Sequence, residues 1–351
     1  MIRRVTLLEQ LGIEMPVVQA PMAGSSGSAL ATAVCESGGL GSLPCAMLTP
    51  DQVRAEVASI RAGTDRPFNL NFFCHADERP SGSDGERWFD RLAAYYEELG
   101  VPRPSGLAAG RAPFADALCE LIEELRPPVV SFHFGLPDEP LVDRVRATGA
   151  RVLSSATTVA EARWLGERGC DVVIAQGLEA GGHRGMFLTD SPASQVGTLA
   201  LVPQVVDAVD VPVIAAGGIA DGRGVAAALA LGAQAVQVGT AFLRTPEALT
   251  SDLHRSALAE ARDDATVLTN VVTGRPARGI VNRLVREVGP LSEDAPAFPY
   301  ATAGSAPLRA AAEAQGSAEF SPLWAGQSAP LARAESAAEV VRRLVSSAGP
   351  A

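Results

Sequence analysis

The stretch "VPVIAAGGIADGRGVAAALALGAQAVQVGTAFL" (211–243) reads as an apolar run, a pair of glycines, a helix opened by "DGRG", and a second apolar run. Both runs are continuously apolar rather than alternating, as parallel strands covered on both faces require. The same strand–helix unit recurs upstream, at "MPVVQAPM" (15–22), "LGSLP" (40–44), "FNLNFF" (68–73), "VVSFHFG" (129–135), "RVLSSA" (151–156) and "DVVIAQG" (171–177). Eight strands alternating with helices predict an α/β fold, a (β/α)8 TIM barrel. An open doubly wound sheet would carry GxGxxG after its first strand, and "QAPMAGSSG" (19–27) lacks that spacing.

The helices between the runs announce their own starts. Thr49, Pro50 and Gln52 form a capping box with proline at the first helical position. Thr158 and Glu161 repeat the pattern, and Gly169 is placed to stop that helix. Two segments break the alternation: a Pro-, Gly- and charge-rich insertion at 74–113, and residues 244–320 after the eighth strand. The expected organisation is a barrel over 1–243 carrying that insertion, a smaller, mainly helical lid over 244–320, and a C-terminal segment, 321–351, packing back on the barrel.

Composition excludes several classes. The formal net charge of −11 argues against nucleic acid, which rewards clustered basic charge. All 29 basic residues are arginine, so a P-loop lysine and a Schiff-base lysine are both ruled out. The five cysteines occur singly, with no disulfide framework and no metal-ligand spacing. No signal-like or membrane-length apolar segment is present, and the expectation is a soluble cytoplasmic protein with no membrane partner.

Barrel enzymes build their sites at the C-terminal strand ends and often hold phosphate after strands seven and eight. Gly217-Gly218 and Gly239-Thr240 fall there, with the "DGRG" helix start behind them, and backbone N–H groups freed by glycine can seat an anion without lysine. Pro21 and Met22 end strand one as a rigid, polarizable platform for a flat ring. Asn69 and Asn71 share a face of strand three, Gln176 ends strand six and Gln237 lies on strand eight. Such amides match the donor and acceptor edges of a heterocycle. A phosphate seat beside amides and an apolar platform points to FMN. In strand four, Ser131, His133 and Gly135 share one face while Phe132 and Phe134 point to the other. His183 stands in "EAGGHRG" (179–185), just past strand six. His75 and His254 are assigned no chemistry.

Taken together, "QAPMAG", "SFHFG", "AQGLEAGGHRG", "AAGGIADGRG", "QVGTAFL", "TGRPARG" and "WAGQ" span residues 19–327 in order and resemble class I of the nitronate monooxygenase (2-nitropropane dioxygenase) family. The resemblance implies a lidded barrel, tightly bound FMN, no metal, and oxidation of alkyl nitronates by O2 to carbonyl compounds and nitrite. It implies FMN contacts from Ala20, Pro21, Met22, Asn71, Gln176, Gly181, Gly182, Gly217, Gly218, Gln237, Gly239 and Thr240. It makes His133 the catalytic base, which would also admit neutral nitroalkanes, and puts His183 and Met22 against substrate. Relatives acting on propionate 3-nitronate carry tyrosines and a lysine in the tail, where this chain has Tyr300 and, as the nearest cation, Arg309. Two other functions stay open on the residues: an FMN-dependent NAD(P)H reductase of quinones or enoyl thioesters, and a catalytically silent flavin-binding protein. Monomer and homodimer are equally compatible with the sequence.

Overall fold

A computed structural model describes residues 6–107 and 112–346. The extreme ends of the barrel and C-terminal segments expected from sequence, 1–5 and 347–351, lie outside the described residues, as do 108–111 of the insertion.

The eight strands are Val17–Gln19, Gly41–Pro44, Phe68–Phe73, Val129–His133, Arg151–Ala156, Val172–Gln176, Val213–Ala216 and Ala235–Val238. The second to eighth strands pair in parallel with their chain neighbours, and the first pairs with the eighth. A bridge between Val18 and Leu40 joins the first strand to the second, closing a (β/α)8 barrel. The strands are buried on both faces, which is why their sequences do not alternate.

Inside, the barrel changes character along its axis. Its N-terminal end is apolar: the helix Leu7–Leu11 packs on Val18, Val129, Val172 and Ile214 and plugs it. Further up the interior is polar, with Asn69 donating to Ser42 Oγ (3.0 Å) and Ser131 Oγ (2.8 Å) and Asn71 donating to Ser131 Oγ (3.0 Å). Buried amides are costly unless paired, so these bonds hold the strand ends that face the site in one register.

The Thr49–Gln52 capping box forms as the spacing predicts. The Thr158–Glu161 box does not. Thr158 caps the helix Val159–Glu167, but the Glu161 carboxylate turns inward and accepts from Thr157 N (2.7 Å), Thr157 Oγ1 (2.7 Å), Phe187 N (2.6 Å) and Leu188 N (3.1 Å). A fully buried carboxylate must gather donors from wherever the fold supplies them.

Above the barrel mouth lies a second apolar core. Trp88, Phe89, Leu92 and Tyr96, on the helices Gly82–Arg91 and Ala93–Leu99 or between them, pack with Val271, Leu284, Val285, Leu308 and Phe320. Trp88 Nε1 donates to the Ala301 carbonyl and Tyr96 Oη to the Gly304 carbonyl, each at 2.9 Å. The unit over the mouth thus draws on two stretches far apart in sequence. It is not wholly helical: Thr266–Thr269, Ala277–Ile280 and Gly182–His183 make a three-stranded antiparallel sheet. "TPEALTS" is not helical either, and the helix there runs Asp252–Glu260 with Ser251 as its cap. The helix Ala337–Ser346 returns to the barrel and buries Ala337, Val340, Val341 and Leu344 against the helices Ser28–Glu36 and Gly222–Ala230. Among the described residues, no helix is long and apolar enough to cross a membrane.

Candidate active site

The C-terminal strand ends and the segments packed over them line a cavity with an open mouth. Its walls carry Ala20, Pro21 and Met22 from just past strand one, Asn71 from strand three, His133 from strand four, Gln176 from strand six and Gln237 from strand eight. The loops add Gly181, Gly182, His183, Gly217, Gly218, Gly239 and Thr240. Asn69 shares the parity of Asn71 but lies one layer deeper, among side chains of the barrel interior.

Strand four ends at His133, and there the expected alternation breaks. Phe134 takes φ +71°, a strained value for a bulky residue, and its ring comes to 4.5 Å from that of His133 instead of pointing to the opposite face. Phe73, Phe298 and His183 complete an aromatic wall around it. His133 is held at both nitrogens. Nε2 lies 3.2 Å from the His183 carbonyl, which can only accept, so Nε2 carries the proton. Nδ1 then holds the lone pair and accepts from Ser155 Oγ at 2.6 Å. Loss of water around the ring pushes its pKa down to about 3, with the nearby Arg275 and Arg184 charges lowering it further. At neutral pH His133 is an uncharged imidazole of defined tautomer.

The glycines of "EAGGHRG" have three different causes. A Cβ on Gly181 would stand 2.5 Å from Gly326 N, so close packing of two backbones excludes any side chain. Gly182 needs its left-handed φ of +72°, with open space where a side chain would go. A Cβ on Gly185 would strike Ser155 Oγ at 2.6 Å and His133 Cε1 at 2.8 Å. Packing against "WAGQ" is enough to require glycine at Gly181, whose backbone also lines the cavity, whereas Gly182 has open space beside it.

This loop is gripped from both sides. Below it, Gln176 donates to the His183 carbonyl (3.0 Å) and accepts from Gly185 N (2.8 Å), so its amide serves the loop. Arg184, fully buried, donates to the carbonyls of Gly177 (2.7 Å) and Gln176 (2.8 Å) and to Gln195 Oε1 (2.9 Å). Above it, "TGRPARG" (273–279) acts as a clamp. Thr273 Oγ1 lies 2.9 Å from His183 Nε2, the Pro276 carbonyl accepts from Arg184 N, and Arg278 donates to the Leu178 carbonyl. Arg275 stacks 4.1 Å over Phe134 and donates to the Met186 carbonyl. Nothing in the local pattern of that motif foretells which loop it holds.

At the other end of the cavity the "DGRG" helix supplies less than its sequence implies. The Asp221 side chain caps its own helix and pairs with the exposed Arg223, and neither residue reaches the cavity wall. Of the residues the sequence offers for an anion seat, Gly217, Gly218, Gly239 and Thr240 are the ones that line the cavity. Glu179 backs Gly218, but its carboxylate is turned to Thr198 N and Oγ1 at the start of the helix Thr198–Val206. In the tail, Tyr300 donates to Asp77 (2.7 Å) and Arg309 pairs with Glu313 (2.8 Å), so neither belongs to the cavity wall. One residue that sequence reading set aside does line it: His254. Its only signal was a place four residues before buried Leu258 on one helix face.

The chain matches a family model described as nitronate monooxygenase over residues 4–347. It is 44% identical to a nitronate monooxygenase of Pseudomonas aeruginosa, over 95% of this chain and 96% of that one. It is 42% identical to a nitronate monooxygenase of Paraburkholderia phytofirmans, over 96% and 93%. Among solved structures, nitroalkane oxidase from Streptomyces ansochromogenes superposes with a TM-score of 0.88 at 42% identity, covering 97% of each chain. With a barrel of matching architecture and the motif residues gathered on one cavity, the chain belongs to the nitronate monooxygenase family of flavin-dependent oxidoreductases.

Proposed function

We propose that the chain binds FMN in the cavity at the barrel mouth and oxidises alkyl nitronates with O2 to carbonyl compounds and nitrite. The observation that carries this is the division of the cavity into two chemically distinct ends. One end is a backbone-lined seat at Gly217, Gly218, Gly239 and Thr240, with no carboxylate in the lining among the described residues; the other presents His133 and His183 beside aromatic rings. The residues fit the cofactor. A Cβ on Gly239 would project to 3.4 Å from both Met22 Sδ and Ala20 Cβ, so glycine there keeps the floor clear for a flat ring and its phosphate. FMN, when bound, supplies the electron transfer between substrate and O2. Pro21 and Met22 support the ring, and Asn71 and Gln237 present amides to its edges. His183 and the aromatic wall orient the nitro group, while His133 accepts the α-proton of a neutral nitroalkane at Nδ1, after Ser155 has yielded that position.

The test is to release and identify the flavin, then mix the purified protein anaerobically with NADH, NADPH and propyl-2-nitronate in turn, following flavin absorbance. Bleaching by the nitronate, with nitrite formed on admitting air, is the expected result. Bleaching by a nicotinamide alone would favour the reductase, and none by any would leave only flavin binding.

Two further outcomes are expected. Gly239→Glu sets a Cβ against Ala20 and Met22 and brings a carboxylate to the proposed phosphate seat, and should weaken FMN binding by at least about 100-fold through like-charge repulsion and bulk. Circular dichroism should show the barrel intact, and undiminished FMN content in a folded variant would move the phosphate elsewhere. The second concerns pH. A base is active when deprotonated, and the depressed pKa of His133 keeps it so down to strongly acid pH. For a neutral nitroalkane, the acid limb of kcat/KM should therefore lie well below the ordinary histidine value of 6.5. A limb at 6.5 would mean that His133 titrates as a solvated imidazole.

A further inference from the structure

We propose that His254 recognises the phosphate of the bound flavin, donating from Nε2; the proposal rests on the FMN reading and names a residue for it. His254 is only 7% exposed, lines the cavity, and leaves Nε2 buried without a hydrogen-bond partner. A buried ring nitrogen aimed at a cavity is a group awaiting an occupant. The other side of the ring is engaged with the Trp324 backbone, which fixes how the imidazole is presented.

The position of His254 in the fold says which part of the flavin it meets. Leu258, one turn further along the same helix, packs with Leu243, Ala325 and Ala329. Leu243 ends the 3-10 turn that Thr240 begins, and Gly326 N donates to Thr240 Oγ1 at 2.9 Å. His254 thus shares its stretch of cavity wall with the segment 324–329, which Gly326 ties to Thr240.

Its chemistry suits a phosphate. Among the described residues, the cavity lining holds no lysine, arginine or carboxylate, and the side chains there able to gain positive charge are His133, His183 and His254. His133 is bound at both nitrogens and His183 is held by Thr273. Burial, together with the Arg309 and Arg255 charges, pushes the His254 pKa down to about 4, whereas the Trp324 backbone contact opposes the shift. A phosphate dianion against Nε2 favours the protonated ring, turning an orphaned acceptor into a charge-assisted donor.

The test compares FMN with riboflavin, which lacks only the phosphate, by fluorescence titration of the full chain stripped of flavin. The parent should prefer FMN strongly. His254→Phe keeps the ring's bulk but cannot donate, and should weaken FMN binding by about 10- to 100-fold, the worth of a hydrogen bond to a charged group, leaving riboflavin affinity unchanged. His254→Gln, which keeps one N–H donor at similar reach, should recover part of the preference. An unchanged FMN preference in His254→Phe overturns the proposal. So does equal loss of both flavins in both variants, which would assign His254 to the fold. Failure of the parent itself to bind FMN would overturn the cofactor reading first, and this proposal with it.

Discussion

His133→Asn is expected to lower turnover of a neutral nitroalkane by about 10²–10⁴-fold, the usual cost of losing a general base, while a preformed nitronate reacts within a few-fold of the parent rate. The nitronate has already lost the proton that His133 would take, so only the neutral form needs the base. Asparagine preserves approximate size and can still donate to the His183 carbonyl, replacing the 3.2 Å contact of Nε2. It cannot accept a proton at the place of Nδ1, where Ser155 now donates at 2.6 Å. The resting imidazole is neutral, so it is ready to accept without first losing a proton. The measurement is steady-state turnover of one compound supplied in both ionisation states, normalised to bound flavin. Equal losses on the two forms would reject the base role and leave His133 as a support for the Ser155–His183 wall.

Arg184→Met should destabilise the fold by at least about 3 kcal/mol, since each buried acceptor left unpaired costs roughly 1–3 kcal/mol. Methionine matches the aliphatic stem but strands the Gln176 carbonyl and Gln195 Oε1 and leaves the Gly177 carbonyl only its bond from Ala180 N. The damage should spread, because Gln195 also donates to Thr157 Oγ1 (3.0 Å), whose hydroxyl donates to the buried Glu161. Glu161 in turn holds the backbone of Phe187 and Leu188. Urea unfolding followed by circular dichroism measures the loss. A shift under about 1 kcal/mol would show that water replaces the guanidinium, and the loop would then need another explanation. Because the network carries His183, flavin retention should fall together with stability.

Several elements could be read directly from the chain. Thr49, Pro50 and Gln52 announce a helix start because a capping box joins residues three apart, whatever surrounds them. The strand order followed from continuous apolar runs, since parallel strands between layers of helices leave no polar face. Other inferences failed where a local rule met a non-local partner. Thr158 and Glu161 have the spacing of a box, yet Glu161 is drawn to Phe187 and Leu188, more than 25 residues away. Phe134 has the parity of the outer face, yet the strand ends one residue earlier and, at φ +71°, its ring lies against that of His133. The "DGRG" helix start looked like an anion seat, but Asp221 had already capped it.

By itself the sequence determined the barrel, the order of its strands, and the set of glycines, amides and histidines at the strand ends. Those features depend on period, parity and short-range spacing, which survive without knowledge of distant contacts. Only the tertiary structure decided how those residues work together. It placed Asn71 on the cavity and Asn69 beneath it despite their shared parity. It set "TGRPARG" on the His183 loop across about 90 residues of chain and brought Gly326 against Gly181. It also turned His254, an unremarked residue of a lid helix, into a wall of the same cavity. Such choices are made when the lid docks on the barrel and each buried polar group must find a partner, a condition that no window of local sequence contains.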